Sequence, residues 1–371
     1  MLAANDHSSG EFLPALRSRN RELAASFARI MRNFARRRNL FDDGPMTARL
    51  SDYDYDLPRE LIAQRPLQRR EDSRMMVLHR DRQTIDHCQF HELKKFLRAG
   101  DLLVLNDTRV LPARRFSDDG VVEFLFLEHL GPKRWKCLVK PGRKMRVGAA
   151  ARINGVTLRV EEITDGGARI VTLDEDIDPY AGGSMPLPPY INRLSDEKDA
   201  ARYQTVFANA AGAIAAPTAG LHFTPEILSE LPHTFVTLHV GPGTFLPAQS
   251  DNIAEHRMHS EHFSISPEVA RRINDARRII AVGTTTVRTL ESARGADGKV
   301  QAQEGATDLF IYPPYEFRMV DVLLTNFHLP RSTLVMLVSA FASREFLLRA
   351  YEEAIRQRYR FYSYGDCMLI L

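Results

Sequence analysis

An α/β main domain with a small antiparallel β-barrel inserted into it is the architecture that the sequence predicts, and three observations predict it. Beyond residue 186 strand and helix signals alternate, as in RYQTVFA, PEILSEL, TFVTLHVG, PEVARRINDARR and IIAVG, the pattern of a largely parallel sheet covered on both faces. Between residues 116 and 178 the text changes to short alternating segments divided by LGPK, PGR, NG and TDGG, the turn chemistry of hairpins. The apolar runs LLVLN and DVLLTNF both end in polar loops, where α/β proteins present functional groups. The expected domains are therefore 47–115 with 186–371 for the main body and 116–185 for the barrel, with 1–46 as an N-terminal extension.

Composition narrows the class. The chain has 371 residues, 44% of them hydrophobic, enough to bury a core in each of two domains. Cys88, Cys137 and Cys367 lie far apart with no CxxC pair, which argues against a disulfide framework or a cysteine-built zinc site and fits a reducing, cytoplasmic setting. No apolar run approaches the roughly 20 residues of a membrane span. Net charge is +3, but residues 1–49 hold nine Arg against five acidic residues, so the remainder is close to −1. Contact with nucleic acid must then come from a local basic patch and not from bulk charge.

Taken in order, residues 1–46 are Arg-rich, and Phe27, Ile30, Met31 and Phe34 share one helical face; the segment reads as a disordered tail or as sequence upstream of a start at Met46. Leu57-Pro58 leads into a short helix, SRMMVLHR into a strand, and a helix over 91–98 closes at Gly100 before the strand LLVLN and a polar loop at 106–109. VVEFLFLEHL, RWKCLVK, KMRVGAAARI, VTLRVEEI and ARIVTLD supply the barrel, and the prolines of MPLPPYI stiffen the exit. Thr224-Pro225 opens a helix, a strand ends at Gly241-Pro242-Gly243, and one of Thr284, Thr285 or Thr286 caps the helix after IIAVG. Ser332 caps one or two helices, and FYSYGDCMLIL completes the pattern.

Six of the twelve histidines, His222, His233, His239, His256, His259 and His262, fall within residues 212–263 among Gly, Pro and Thr. Histidine is the side chain most easily set near neutral pH, so this concentration points to loop-borne proton transfer. Two other readings stay open: H-x-x-H-x-E-H (256–262) as zinc ligands, and hydrogen bonding of strand ends. GTTTVR offers helix-start N–H groups and hydroxyls as a seat for a carboxylate or phosphate, with Arg288 one turn in. It is no Walker loop, and no G-x-G-x-x-G turn marks a conventional methyltransferase. Arg114, Arg115, Arg143, Lys144 and Arg146 could meet phosphates.

The segments SDYDYDLPRELIAQRP, GDLLVLNDTRVLPARR, APTAGLHFT, TLHVGPGTF, HRMHSEHF, AVGTTTVRTLES, TNFHLPRSTL and YRFYSYGDCMLIL resemble the S-adenosylmethionine:tRNA ribosyltransferase-isomerase family of the queuosine pathway. The resemblance runs from Leu50 to Leu371. Three departures stand out: Pro242 where Ala is usual, His262 where an aromatic is usual, and Pro314 where Gly is common. The second removes the third ligand from a three-histidine metal site, so no metal is expected.

The resemblance implies transfer and rearrangement of the ribosyl part of S-adenosylmethionine onto 7-aminomethyl-7-deazaguanine at the tRNA wobble position. Epoxyqueuosine forms, and adenine and methionine leave. S-adenosylmethionine is consumed as a co-substrate, no separate cofactor is implied, and a cytoplasmic monomer acting on tRNA without membrane contact is expected. Clustering at loop positions makes His222, His259 and Glu261 the candidate proton-transfer groups, with His239 and His328 behind them. Thr284, Thr285, Thr286 and Arg288 are candidates for the methionine carboxylate or ribose, and Asp107 and Asp366 for its ammonium. Asn106, Arg109, Asn326 and Tyr364 are candidates for base or ribose contacts. A metal-dependent hydrolase and a non-catalytic RNA-binding protein are the rival readings.

Overall fold

The apolar runs of the sequence become the middle of one nine-stranded sheet. The computed structural model describes residues 49–245 and 251–371. The helical face expected at 27–34, the extension 1–46 and residues 246–250 lie outside them.

Strands β1 (Arg74–His79) and β2 (Thr84–Gln89) form an edge hairpin, and β3 (Asp101–Asn106) follows. β4 (Thr108–Val110) occupies the expected polar loop, because it pairs with a later strand. β5 (Arg114–Phe116), β6 (Glu123–Gly131), β7 (Arg134–Lys140), β8 (Ala150–Ile153), β9 (Val156–Ile163) and β10 (Arg169–Leu173) are the inserted hairpins. Helix α1 (Glu197–Arg202), capped by Asp196, leads to β11 (Ala210–Ala213), which pairs in parallel with β4. Then come α2 (Pro225–Ser229), β12 (His233–Leu238), β13 (Glu261–Ile265), α3 (Pro267–Asn274), β14 (Arg278–Val282), α4 (Thr284–Ser292), β15 (Gln303–Thr307), β16 (Val322–Asn326), α5 (Thr333–Ala342), α6 (Arg344–Arg356) and β17 (Cys367–Ile370).

The main sheet runs β15-β13-β12-β3-β14-β16-β17-β1-β2. Only four of its eight neighbouring pairs are parallel, so it is mixed and not largely parallel as expected. A single crossover helix carries the chain back to the start of a strand, whereas β16 and β17 are joined by two successive helices and pair antiparallel. Period-two alternation fills both faces. Met76 and Leu78 of β1 and Leu102 and Val104 of β3 enter one core, while Met75, Val77, Leu103 and Leu105 enter the other. Each fully buried side chain of this size contributes about 1.5–3 kcal/mol.

The six-stranded sheet β5-β6-β7-β10-β9-β8 is antiparallel throughout. Its outer edges meet just beyond β5, where the Asp118 N–H donates to the Arg152 carbonyl (2.8 Å) and the Asp118 carboxylate accepts from the N–H groups of Asn154 (2.7 Å) and Gly155 (2.9 Å). The sheet is thereby nearly closed around Phe124, Phe126, Trp135, Cys137, Leu158 and Val171. Shorter elements differ from expectation. The helix expected at 91–98 is a 3₁₀ segment, Phe90–Phe96, whose start is fixed by the Glu92 carboxylate accepting from the Gln89 N–H.

Candidate active site

Four strands of the main sheet, β12, β3, β14 and β16, lie side by side and parallel, and one cavity opens beyond the carboxyl ends of β12, β14 and β16. With its open mouth and the solvent in it counted, the cavity measures about 670 Å³. Gly283, Thr284 and Thr285 from the start of α4 line one side, and Thr325, Asn326 and His328 from the end of β16 line another. Tyr190, Thr218, Tyr362 and Ser363 complete the wall.

Gly283 is the N-cap of α4, with φ of +90°, a left-handed conformation open mainly to glycine. The expected threonine cap is therefore absent, since glycine has taken that position. Thr286 is buried and turns its hydroxyl back onto the Val282 carbonyl (2.8 Å), leaving Thr284 and Thr285 facing the cavity. Asn106 donates to Thr285 Oγ1 (3.3 Å) and to the Leu238 carbonyl (2.9 Å), and its own oxygen accepts from the N–H groups of Thr108 and Leu238. Asn106 thus clamps β3 to β12, with no hydrogen-bonding capacity left for a base or ribose.

Asn326 donates through Nδ2 to the Tyr362 carbonyl (2.9 Å), which turns its oxygen toward His222 Nε2 (3.2 Å). That contact requires the proton on Nε2, so Nδ1 accepts from the Ser73 hydroxyl (2.7 Å). His222, only 4% exposed, has both nitrogens engaged. Burial, and secondarily the charges of Arg70 and Arg360, depress its pKa to about 4 despite the Asn326 bond, so it is neutral at pH 7.

His328 differs. It is 8% exposed, its pKa is pushed down to about 3 by burial, and Nε2 meets Thr325 Oγ1 at 3.2 Å. Nδ1 is buried with no hydrogen-bond partner. Its backbone is held on both sides, the N–H accepted by the Tyr351 hydroxyl (3.0 Å) and the carbonyl accepting from Tyr55.

Other candidates lie elsewhere. Glu261 is buried in an ion pair with Arg288 and also accepts from the Gly241 N–H (2.9 Å), and Arg288 further donates to the Leu309 and Thr307 carbonyls. Neither lines the cavity, so Arg288 does not reinforce the seat at Thr284 and Glu261 is not a free base. His259 is exposed and lies over Gly243, where a Cβ would come within 2.3 Å of its ring. His239 bonds Thr108 Oγ1 (2.8 Å), and its pKa is lowered by burial. Asp107 accepts from Thr237 (2.6 Å), Arg109 holds the Ala208 carbonyl (2.6 Å), and Asp366 accepts from the N–H groups of Arg74 (3.0 Å) and Arg360 (2.8 Å). These are structural engagements. Tyr364 donates to Asp199 (2.8 Å) beside a smaller recess next to the cavity. Among the described residues no three His, Cys, Asp or Glu side chains gather to hold a metal.

Sequence reading missed Tyr190, Thr218, Tyr362 and Ser363. Tyr190 and Tyr362 face each other at 4.7 Å between ring centroids and 50° between planes, forming an aromatic wall. The one feature of the sequence that marks this turn is Gly365, where a Cβ would lie 2.5 Å from the Arg360 carbonyl oxygen; the turn holds Tyr362 at φ +70°.

A family model described as Queuosine biosynthesis protein matches residues 50–370. The chain belongs to that family. The similarity covers the whole main sheet, the six-stranded sheet and every cavity residue. The chain is 50% identical over 348 residues to a protein of Symbiobacterium thermophilum, covering 87% of this chain and 100% of that one. It is 51% identical over 339 residues to one of Heliobacterium modesticaldum, covering 86% and 98%. Both relatives are named S-adenosylmethionine:tRNA ribosyltransferase-isomerase. A crystal structure of S-adenosylmethionine tRNA ribosyltransferase from Thermotoga maritima is similar at 40% identity and a TM-score of 0.50, covering 86% of this chain and 100% of that chain.

Proposed function

We propose that this protein transfers and isomerises the ribosyl moiety of S-adenosylmethionine onto 7-aminomethyl-7-deazaguanine in tRNA, yielding epoxyqueuosine and releasing adenine and methionine. One observation carries the reading: Thr284, Thr285, Asn326, His328, Tyr190 and Tyr362 converge on a single cavity in a chain that matches the ribosyltransferase-isomerases over nearly their full length.

The chemistry sets the demands. The sulfonium acidifies the adjacent 5′ carbon, a base removes that proton, and adenine departs with a proton of its own. The aminomethyl nitrogen then captures the ribosyl fragment, and epoxide closure expels methionine. Of the five proton-transfer candidates, His328 alone lines the cavity. Its imidazole is neutral, and its buried Nδ1 has no hydrogen-bond partner, so the ring keeps a nitrogen that no protein group occupies. His222 stands one hydrogen bond behind, fixing Asn326. Tyr190 and Tyr362 offer π-faces to a nucleobase, each such stack worth about 1–3 kcal/mol. Thr284 and Thr285, at the positive end of α4, suit the methionine carboxylate or a ribose hydroxyl.

Among the described residues no helix is long and apolar enough to cross a membrane. S-adenosylmethionine serves as co-substrate with no further cofactor, and the reading takes the protein as a cytoplasmic monomer. The test is incubation with S-adenosylmethionine and tRNA bearing 7-aminomethyl-7-deazaguanine. Free adenine and epoxyqueuosine by nucleoside mass analysis are expected; S-adenosylhomocysteine, or no adenine, overturns the reading.

A further inference from the structure

Beside the cavity, and sharing Ser363 with it, lies a recess of about 290 Å³ with its mouth included, lined by Arg70, Ser73, Arg202, His222, Ser363 and Tyr364. Among the described residues its cations share with Arg80 and Arg115 contacts to backbone oxygens alone, and lack the carboxylate partner that three other arginines have. Arg193 is held by Asp199, Arg278 by Asp101 and Arg288 by Glu261. Arg70 instead donates to the carbonyls of Leu221 (3.1 Å) and Ala201 (2.8 Å), and Arg202 to that of Gln68 (2.8 Å). Carbonyls orient a guanidinium without cancelling its charge. Arg202 Nε is buried with no hydrogen-bond partner. Burial first, and the neighbouring Arg202 charge after it, lower the Arg70 pKa to about 10.

We propose that this recess binds one phosphodiester of the tRNA strand, next to the nucleotide whose base enters the main cavity. This rests on the tRNA reading above and assigns it a contact. The missing countercharge is then supplied by the ligand, and the planar guanidinium forks match phosphate oxygens. A free amino-acid end, such as that of methionine, is a poorer occupant, because its ammonium would need a carboxylate and none lines the recess. The wall between recess and cavity is the hydrogen bond from His222 to Asn326, so an anchored phosphate would set the reach of the adjoining base.

The test is tRNA binding by Arg202→Gln from 50 to 300 mM KCl, with S-adenosylmethionine affinity measured by calorimetry. Loss of one phosphate contact should weaken tRNA binding about tenfold and reduce the slope of log affinity against log salt by about 0.9, with S-adenosylmethionine affinity unchanged. Arg202→Lys should recover the slope. Unchanged tRNA affinity and slope overturn the proposal, as does weakened S-adenosylmethionine binding with normal tRNA binding, which would make the recess a carboxylate seat. If Arg202→Gln does not fold, Arg70→Gln is read in the same way. Adenine release by the wild type is scored separately, so failure of the reaction and failure of the phosphate seat are distinguishable.

Discussion

The stretch 256–262 and the wall formed by 283–285 with 325–328 are both polar, yet they end in different states. In the first, Glu261 is neutralised by Arg288 and His259 faces outward. In the second, His328 lines the cavity and keeps a buried Nδ1 without a hydrogen-bond partner. The denser cluster ties β13 to its surroundings through Glu261, and the sparser one lines the cavity. A concentration of chemistry-bearing residues is therefore weaker evidence of a site than one polar atom that folding leaves unsatisfied.

Experiments can break or sharpen this contrast. Arg288→Ala strands a buried carboxylate, and a loss of about 3–5 kcal/mol in stability by denaturant unfolding is expected. An Arg288→Met, Glu261→Leu pair should restore most of it; a stable single variant would show that Glu261 is not structurally committed. Next in size, His328→Gln should lower adenine release about 10²–10⁴-fold with a near-normal thermal midpoint. Activity within threefold of wild type would remove His328 from the chemistry.

The neutral histidines add a pH signature. The folded pKa values of His222 and His328, about 4 and about 3, lie below the unfolded value of about 6.5. The unfolded chain therefore binds protons first as pH falls. The stability they contribute is complete above pH 6.5 and declines below it, on the order of 1 kcal/mol per pH unit for each. Melting from pH 7 to 5 should show a shallower decline in His328→Gln than in wild type; parallel curves would refute the buried neutral state. Thr285→Val should weaken S-adenosylmethionine binding roughly fivefold in calorimetry, about 1 kcal/mol for one hydrogen bond. The smallest effect belongs to His259→Gln, which should turn over within about twofold of wild type, as surface substitutions do. A large loss there would return the histidine-rich stretch to the active site.

Legibility followed the range of the interactions. Alternation in RMMVLH and DLLVLN showed strands, Ser332 and Thr224 showed helix starts, and hairpin turns showed the six-stranded sheet, all through local chemistry. Strand direction was not local, because the antiparallel placement of β17 depends on two helices coming before it. Site membership depended on partners distant in sequence. Thr285 and Asn326 were legible from their strand-end positions, whereas Glu261 was withdrawn by Arg288, 27 residues on, and Asn106 by Leu238, 132 residues on. Tyr190 and Tyr362 carried no mark of each other.

The register of β1 with β17 aligns Met75 with Cys367. A ribosome adding about 5–20 residues per second needs roughly 15–60 s to travel between them. Throughout that interval the nascent β1 hairpin has an unpaired backbone edge flanked by the apolar side chains Met75, Met76, Val77 and Leu78. Newly made protein thus has a defined window for aggregation or chaperone capture, and it closes only when β17 leaves the exit tunnel.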